Sequence, residues 1–436
     1  MSYSLSDTEK AALLSLIGEV KPELIGISVT TPLRKKAVEI SLLIKNIYAI
    51  PIVWGGPDPT ISAQDCLAYC DFVCVGEGEK TIIDIASALD VKDDIKKVNN
   101  IAYMAADRCV RNPLNPLVID LDSLPFKDID KDNKFLIEDN MLIRNFHEVS
   151  NTLNYKYHLI GARGCPYGCS YCCEDFYKKL YDKQVFLRRR SVSHIIQELE
   201  EAKIIRYKFV QFEDEVFSYD YDWLLEFKDR YKSEINLPFT CYIYPNKNIE
   251  RQLKILKETG LTRTCLALQS GSGRINKQIF NRVFDRELFI KTARLLKSMD
   301  IEYYVDVITF NPFETEEDLR LTLDVLNELP RPFWLCINKL YVLKGTKIYT
   351  LLKDYKKTIK SAIPERLFTY YSLLFWRTTE YHKNLVKFIY AIRIFKYFPA
   401  LFNYTSKIYS CIRNPRDIPK RIKRKFIKGV RPSDVR

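Results

Sequence analysis

Short apolar runs of strand length alternate with longer stretches whose apolar residues recur every three or four positions. Near the N-terminus the runs are Leu24-Ile25-Gly26-Ile27-Ser28-Val29, Pro51-Ile52-Val53-Trp54 and Asp71-Phe72-Val73-Cys74-Val75. Helical spacing covers Asp7 to about Ile17, Lys36–Tyr48 and Thr81–Leu89, and Ser6-Asp7-Thr8-Glu9 reads as a capping box opening the first. Glycines close the second and third runs, at Gly55-Gly56-Pro57 and Gly76-Glu77-Gly78-Glu79. Six more strand candidates follow: Tyr157–Ala162, Phe209–Glu213, Phe239–Ile243, Arg263–Gln269, Tyr303–Thr309 and Phe333–Leu340. Helices are expected between them near Ser193–Ile205, Tyr221–Glu234, Asn248–Thr259, Phe284–Met299 and Glu316–Leu329. Such alternation predicts an α/β fold with parallel strands: a Rossmann-like sandwich over residues 1–130, then a barrel or part of one over 150–345. Residues 346–436 form a third region, with helices expected at Leu367–Trp376 and Asn384–Tyr397, rich in Tyr, Phe and Ile.

Composition narrows the class. The chain has 436 residues, enough for two or three domains, with 47% hydrophobic and 28% charged residues, as in an ordinary globular protein. Twelve cysteines without an N-terminal signal peptide point to a reducing compartment, hence a cytoplasmic location. No apolar run reaches the length of a spanning helix. The net charge of +13 is concentrated: 11 basic and 2 acidic residues lie from Asn403 to the end, leaving +4 for the rest.

The chemistry centres on Gly161-Ala162-Arg163-Gly164-Cys165-Pro166-Tyr167-Gly168-Cys169-Ser170-Tyr171-Cys172. C-x3-C-x2-C puts three soft thiol ligands on one short loop, which suits an iron–sulfur cluster, or zinc if a fourth ligand arrives. The four histidines, His147, His158, His194 and His382, form no close pair to complete a zinc site. Cys66, Cys70 and Cys74 read as buried small hydrophobes, the first two on a helix, and Cys173, Cys241 and Cys265 carry no specific role.

The cysteine loop, with its aromatic before the last cysteine, resembles the signature of radical S-adenosylmethionine (SAM) enzymes. The resemblance implies a partial (β/α)6 barrel and a [4Fe–4S] cluster on Cys165, Cys169 and Cys172. It further implies reductive cleavage of SAM to a 5′-deoxyadenosyl radical, with an external electron donor such as flavodoxin or ferredoxin. It also assigns SAM contacts. Tyr171 would pack near adenine, Glu213 and Asp214 would meet the amino group and ribose, Gln269 the ribose, and Ser270 beside it would belong to the same cofactor site. Arg282 would pair with the methionine carboxylate and Ile308 would contact adenine. Arg188-Arg189-Arg190-Ser191 followed by Glu198-Leu199 looks like a family helix start capped by Ser191 or Ser193. Gly345-Thr346 resembles a family closing motif, with Lys344 in place of proline. Asp306 is left open, as an interior polar group or a substrate contact.

Gly55-Gly56-Pro57-Asp58-Pro59-Thr60, Val75-Gly76-Glu77-Gly78-Glu79 and the linker Leu121–Phe126 resemble the cobalamin (B12)-binding-type domain that precedes many radical SAM modules. Family members begin with a further strand and a D-x-H-x-x-G loop whose histidine ligates cobalt, and the first histidine here is His147. The expectation is therefore a truncated domain in which cobalamin binding is disfavoured, the His-ligated mode above all. The substrate is expected to be a small or lipid-linked molecule and not a nucleic acid. The run Lys420-Arg421-Ile422-Lys423-Arg424-Lys425 would suit peripheral contact with anionic lipid. Two other readings stand beside this one: a non-catalytic iron–sulfur or zinc protein using the same cysteines, and an RNA methylthiotransferase-like enzyme.

Overall fold

The computed structural model describes residues 4–129, 133–144, 156–182, 186–355, 363–380, 383–392, 394–397 and 399. The chain divides into two compact units, Met1–Val210 with Val342–Tyr349, and Gln211–Tyr341 with Thr350–Arg436. The division falls inside the span expected for the barrel.

In the first unit the capping box forms as expected. Ser6 Oγ accepts from Glu9 N at 3.1 Å and Glu9 Oε2 accepts from Ser6 N at 2.8 Å, opening α1 (Asp7–Val20). Strands β1 (Ile25–Ser28), β2 (Ile52–Gly55) and β3 (Phe72–Cys74) are parallel, in register Ile25↔Ile52 and Val53↔Phe72. Helices α2 (Arg34–Lys45), α3 (Pro57–Ile61), α4 (Ala63–Cys66) and α5 (Glu79–Asp90) connect or follow them. The core gathers Trp54, Val73, Val75 and Ile44, and the Trp54 indole N–H donates to Ser41 Oγ at 2.9 Å, so this large ring is buried without an unmet donor. Cys66 ends α4, whereas Cys70 sits in the turn beyond and not on a helix. Burial pushes both thiols up to about 12 and that of Cys74 to about 11, which keeps them protonated and unreactive.

One expectation is corrected. The sheet is not wholly parallel, because β4 (Ile101–Ala105) and β5 (Arg108–Arg111) form an antiparallel hairpin that completes the order β1-β2-β3-β4-β5. Ala106 turns the hairpin in the left-handed region, φ 50°, without the Asn-Gly or Gly signal that would have marked it. A second small hairpin, β6 (Leu136–Glu138) and β7 (Met141–Ile143), lies further on.

The strand expected over Tyr157–Ala162 is broken. After β8 (Lys156–Leu159) the chain leaves the sheet, and β9 (Ala162–Arg163) pairs antiparallel with β10 (Arg188–Arg189). Helix α6 (Cys173–Leu180) lies between these two, and α7 (Val192–Glu201) follows, capped by Ser191, whose hydroxyl accepts from His194 N at 3.1 Å. Strand β11 (Phe209–Phe212) neighbours β8 and carries the chain into the second unit.

There β12 (Phe239–Ile243), β13 (Leu261–Gln269), β14 (Glu302–Thr309) and β15 (Trp334–Lys339) run parallel in the order β15-β14-β13-β12-β11. Helices α8 (Tyr221–Arg230), α9 (Ile249–Thr259), α10 (Arg286–Ser298) and α11 (Glu316–Glu328) alternate with them, each within a few residues of its expected bounds. The period-two pattern is clear on β13, where Thr264, Leu266 and Leu268 are buried while Cys265, Ala267 and Gln269 are half-exposed. An aromatic cluster of Phe212, Phe217, Phe227, Tyr231 and Phe239 fills the start of this core, with Phe212 and Phe217 centred 4.6 Å apart.

After α12 (Lys347–Tyr355) come α13 (Glu365–Glu380), α14 (Lys383–Ala391) and α15 (Ile394–Tyr397). Tyr371 donates to Glu316 Oε1 at 3.3 Å and Lys396 reaches Glu316 Oε2 at 2.6 Å, tying α13 and α15 to the start of α11. The basic run Lys420–Lys425 lies outside the described residues.

Candidate functional site

The cysteine loop is shaped by backbone constraints in the first unit. Gly164 has φ +89°, and a Cβ there would stand 2.5 Å from the Phe186 carbonyl oxygen, so only glycine fits at the loop's entrance. Cys172 N donates to Cys169 O at 3.0 Å, a tight turn that delivers the chain to α6. Cys169 is buried, while Cys165 and Cys172 are half-buried beside the half-buried Tyr171. Lys178 Nζ donates to Tyr167 O at 2.5 Å, and Ile348 N donates to Ser170 O at 3.0 Å. Gly345, φ +82°, lies so close to Phe176 of α6 that a Cβ would come within 2.7 Å of the ring. The closing Gly345-Thr346 segment thus braces the loop, and Lys344 meets Asp65 at 2.5 Å at the surface instead of stiffening the backbone as proline would.

The Gly76-Glu77-Gly78-Glu79 segment, read from sequence as a strand end, clamps this loop. Gly76 has φ +85°, and a Cβ there would overlap the Tyr181 hydroxyl. Glu77 N donates to that hydroxyl at 2.9 Å. The Glu77 carboxylate accepts from Arg188 at 2.8 and 3.1 Å, from Arg163 Nη1 at 3.1 Å and from Val118 N at 3.2 Å. Glu79 accepts from Arg163 Nη2 at 2.5 Å. Burial alone would raise the Glu77 carboxyl, but Arg188 and Arg163 outweigh it and hold the group below its ordinary value. Arg163 stands two residues before Cys165, so the clamp sets where the loop begins.

The neighbouring Arg190 takes a separate partner. Its Nη1 lies 2.5 Å from the buried Glu198, which also accepts from Tyr157 at 2.6 Å. Burial, then Arg190, lowers the His194 pKa, and the neutral imidazole accepts from Arg190 Nε at 2.9 Å. The linker joins through Asp122, which accepts from Ser191 N at 3.0 Å, and through Phe126, whose ring lies 4.6 Å from that of His194.

In the second unit the remaining expected site residues lie at strand carboxyl ends. Glu213 and Asp214 follow β11; Gln211 donates to Glu213 at 2.9 Å and Asp214 is fully buried. They stand two strands from Gln269, with β12 between. Gln269 ends β13 at φ 60°, after a register shift against β14, and its buried Oε1 has no hydrogen-bond partner among the described residues. Ser270 beside it is buried, as is Ile308 on the adjacent β14. Arg282 is drawn to β13, donating from Nη2 to Ala267 O at 2.7 Å with its guanidinium 4.5 Å from the Tyr244 ring centre. Tyr244, Ala267, Arg282 and Phe284 border a small cavity of about 40 Å³. Asp306 accepts from the Cys265 thiol at 3.1 Å on the half-exposed face of the sheet.

Sequence reading placed Glu314 in the segment Asn311-Pro312-Phe313-Glu314-Thr315, similar to a family G-x-P-x-E-T motif, without a role of its own; it is 5% exposed in the loop between β14 and α11. Burial, reinforced by Asp318, pushes its carboxyl well above 4.5. The folded chain therefore holds a proton that the unfolded chain releases, so Glu314 lowers stability as pH rises above about 4.5, until its own raised value is passed. Glu314→Gln is expected to stabilise the protein increasingly as pH rises above about 4.5, read as a growing difference in thermal midpoint. A difference independent of pH would contradict a protonated Glu314.

The Radical SAM superfamily model matches residues 159–326, over the cysteine loop and the strand ends just described, and the B12 binding domain model matches residues 3–86. The chain carries a radical SAM domain. Its radical SAM domain follows a B12 binding domain, which corrects the weight given to the missing first strand and histidine loop. An uncharacterized methyltransferase of Pyrococcus horikoshii is 23% identical over 326 residues, covering 73% of this chain and 66% of that protein. An anaerobic magnesium-protoporphyrin IX monomethyl ester cyclase of Rubrivivax gelatinosus is 26% identical, covering 73% and 56%. The chain thus spans between half and two thirds of these relatives.

Two solved structures share the fold. The radical SAM methyltransferase TsrM of Kitasatospora setae has a TM-score of 0.64 at 17% identity, covering 82% of this chain and 69% of that one. The cobalamin-dependent radical SAM enzyme OxsB has a TM-score of 0.66 at 16% identity, covering 84% and 60%.

A radical SAM domain implies a [4Fe–4S] cluster and SAM, and the residues present fit both. Three thiols lie on one braced loop, two of them half-buried and so accessible. The unmatched Gln269 Oε1 suits a ligand bearing hydroxyl groups.

Proposed function

We propose that this radical SAM enzyme cleaves SAM reductively and acts on a small-molecule or lipid-linked substrate, with cobalamin-dependent methylation of an unactivated carbon as the favoured reaction. The observation that carries the reading is the C-x3-C-x2-C loop, fixed by the Glu77 clamp at one side and by Ile348 at the other. Cys165, Cys169 and Cys172 would hold the cluster, which when bound supplies the single electron for SAM cleavage. Arg282 would take the methionine carboxylate, Glu213 and Asp214 the amino group and ribose, and Gln269 the ribose, with Ser270 beside it in the same cofactor site. Ile308 would contact adenine, and Tyr171 is assigned to adenine packing by the family motif alone.

The B12 binding match and the methyltransferases among the similar proteins support cobalamin. No histidine occurs before His147, so no imidazole of residues 1–146 would ligate cobalt. An external one-electron donor such as flavodoxin or ferredoxin completes the requirement. None of the described helices is long and apolar enough to cross a membrane. Exposed Trp376 and Phe388, with the basic run beyond, favour peripheral contact with anionic lipid.

Anaerobic reconstitution with iron and sulfide tests the reading. The reduced cluster's paramagnetic resonance spectrum should change when SAM is added, and hydroxocobalamin absorbance should shift on titration. A full-iron cluster indifferent to SAM would support a non-catalytic cluster protein instead, and an unchanged cobalamin spectrum would remove methylation.

A further inference from the structure

The turn Gln269-Ser270-Gly271-Ser272 presses directly on α11. A Cβ at Gly271 would lie 2.5 Å from both Leu321 O and Thr322 Cα, so nothing larger than hydrogen separates the two backbones. Gly271 N donates to Thr322 Oγ1 at 2.8 Å, and Thr322 Oγ1 donates in turn to Asp318 O at 3.0 Å. Ser272 Oγ donates to Asp318 Oδ1 at 2.5 Å, and Arg274 Nη2 meets Asp318 Oδ2 at 2.5 Å. The same guanidinium donates to Phe313 O at 2.8 Å, in the loop that leaves β14. Asp318 also caps its own helix, accepting from Thr315 N and Thr315 Oγ1, both at 2.7 Å. Its side chain is 4% exposed.

One buried carboxylate therefore fastens the loops after two adjacent strands, the strands that end in Gln269 and Thr309. Gln269 needs such a restraint, because it holds φ 60° without being glycine and presents an unmatched oxygen. We infer that Asp318 is a positioning residue for SAM, holding the Gln269–Ser272 turn and the loop after Thr309 in their binding arrangement through Ser272 and Arg274. The inference rests on the proposed SAM site. Helix capping alone would not require Ser272 or Arg274.

The test uses the full chain, anaerobically reconstituted, with SAM as the probe and 5′-deoxyadenosine formation under dithionite as the rate. Asp318→Asn should raise the KM for SAM about tenfold or more, and Ser272→Ala severalfold, with iron content and the rate at saturating SAM retained. Thr315→Ala breaks the cap but not the link to the turn, so it should lower thermal stability and leave the KM within about twofold. If Asp318→Asn does not fold, Ser272→Ala decides. A KM for SAM unchanged in Ser272→Ala, or raised equally by Thr315→Ala, would overturn the inference while leaving the SAM site intact. A wild-type chain that neither binds nor cleaves SAM would overturn both.

Discussion

Glu77→Ala is expected to lower the free energy of unfolding by about 3–5 kcal/mol, the range for breaking a buried ion pair from one side. Arg188 is the reason: its side chain is 4% exposed and Glu77 is its paired carboxylate, at 2.8 Å. Removing that carboxylate strands a buried guanidinium and leaves Arg163 Nη1 and Val118 N without this acceptor. Glu79 still holds Arg163, and the carbonyls of Val118 and Phe186 still accept from Arg188, so the loss is of the charge partner and not of every hydrogen bond. Glu77→Gln keeps the shape and an acceptor and should cost less. Urea unfolding of the two variants measures this. A loss below about 1 kcal/mol for Glu77→Ala would place the cluster with exposed ion pairs, which contribute little. Because Arg163 precedes Cys165 by two residues, Glu77→Ala should also retain less iron on reconstitution.

Most of the fold could be read from periodicity. The helices between Ser193 and Leu329 appear within a few residues of where apolar spacing put them, since each has one face buried against the sheet. The hairpin β4–β5 was missed because its turn at Ala106 relies on a left-handed residue that is neither glycine nor asparagine. The break after Leu159 was hidden for another reason. Ala162 and Arg163 remain extended but change partner, from the main sheet to Arg188–Arg189, and an extended segment carries no local mark of its partner.

For the site, the three cysteines and the polar strand ends were legible because their spacing is itself the chemical requirement. What holds them was not. Glu77 and Arg163 are 86 positions apart, and Ser272 and Asp318 are 46 apart, and sequence alone does not say that such distant charges meet. Glu314 is a sharper case. A glutamate in a loop reads as exposed, and only the packing around it reveals a buried, protonated acid.

Cys169→Ala is expected to abolish SAM cleavage outright. Cys169 is the central ligand of the spacing, is buried, and accepts from Cys172 N through its carbonyl, so the loop's backbone turn survives the substitution while the thiolate does not. Alanine is smaller than cysteine and meets no steric obstacle. The variant should therefore fold, keep its thermal midpoint within a few degrees, and fail only in holding a complete cluster. Loss of one of three ligands leaves two thiols, too few to fix a cluster against exchange.

The most direct measurement is 5′-deoxyadenosine formed from SAM and dithionite by the anaerobically reconstituted chain, beside Cys169→Ala treated identically. The account predicts product with the wild type and none above background with the variant. Equal product from both, or none from a wild type that carries full iron and sulfide, would contradict it.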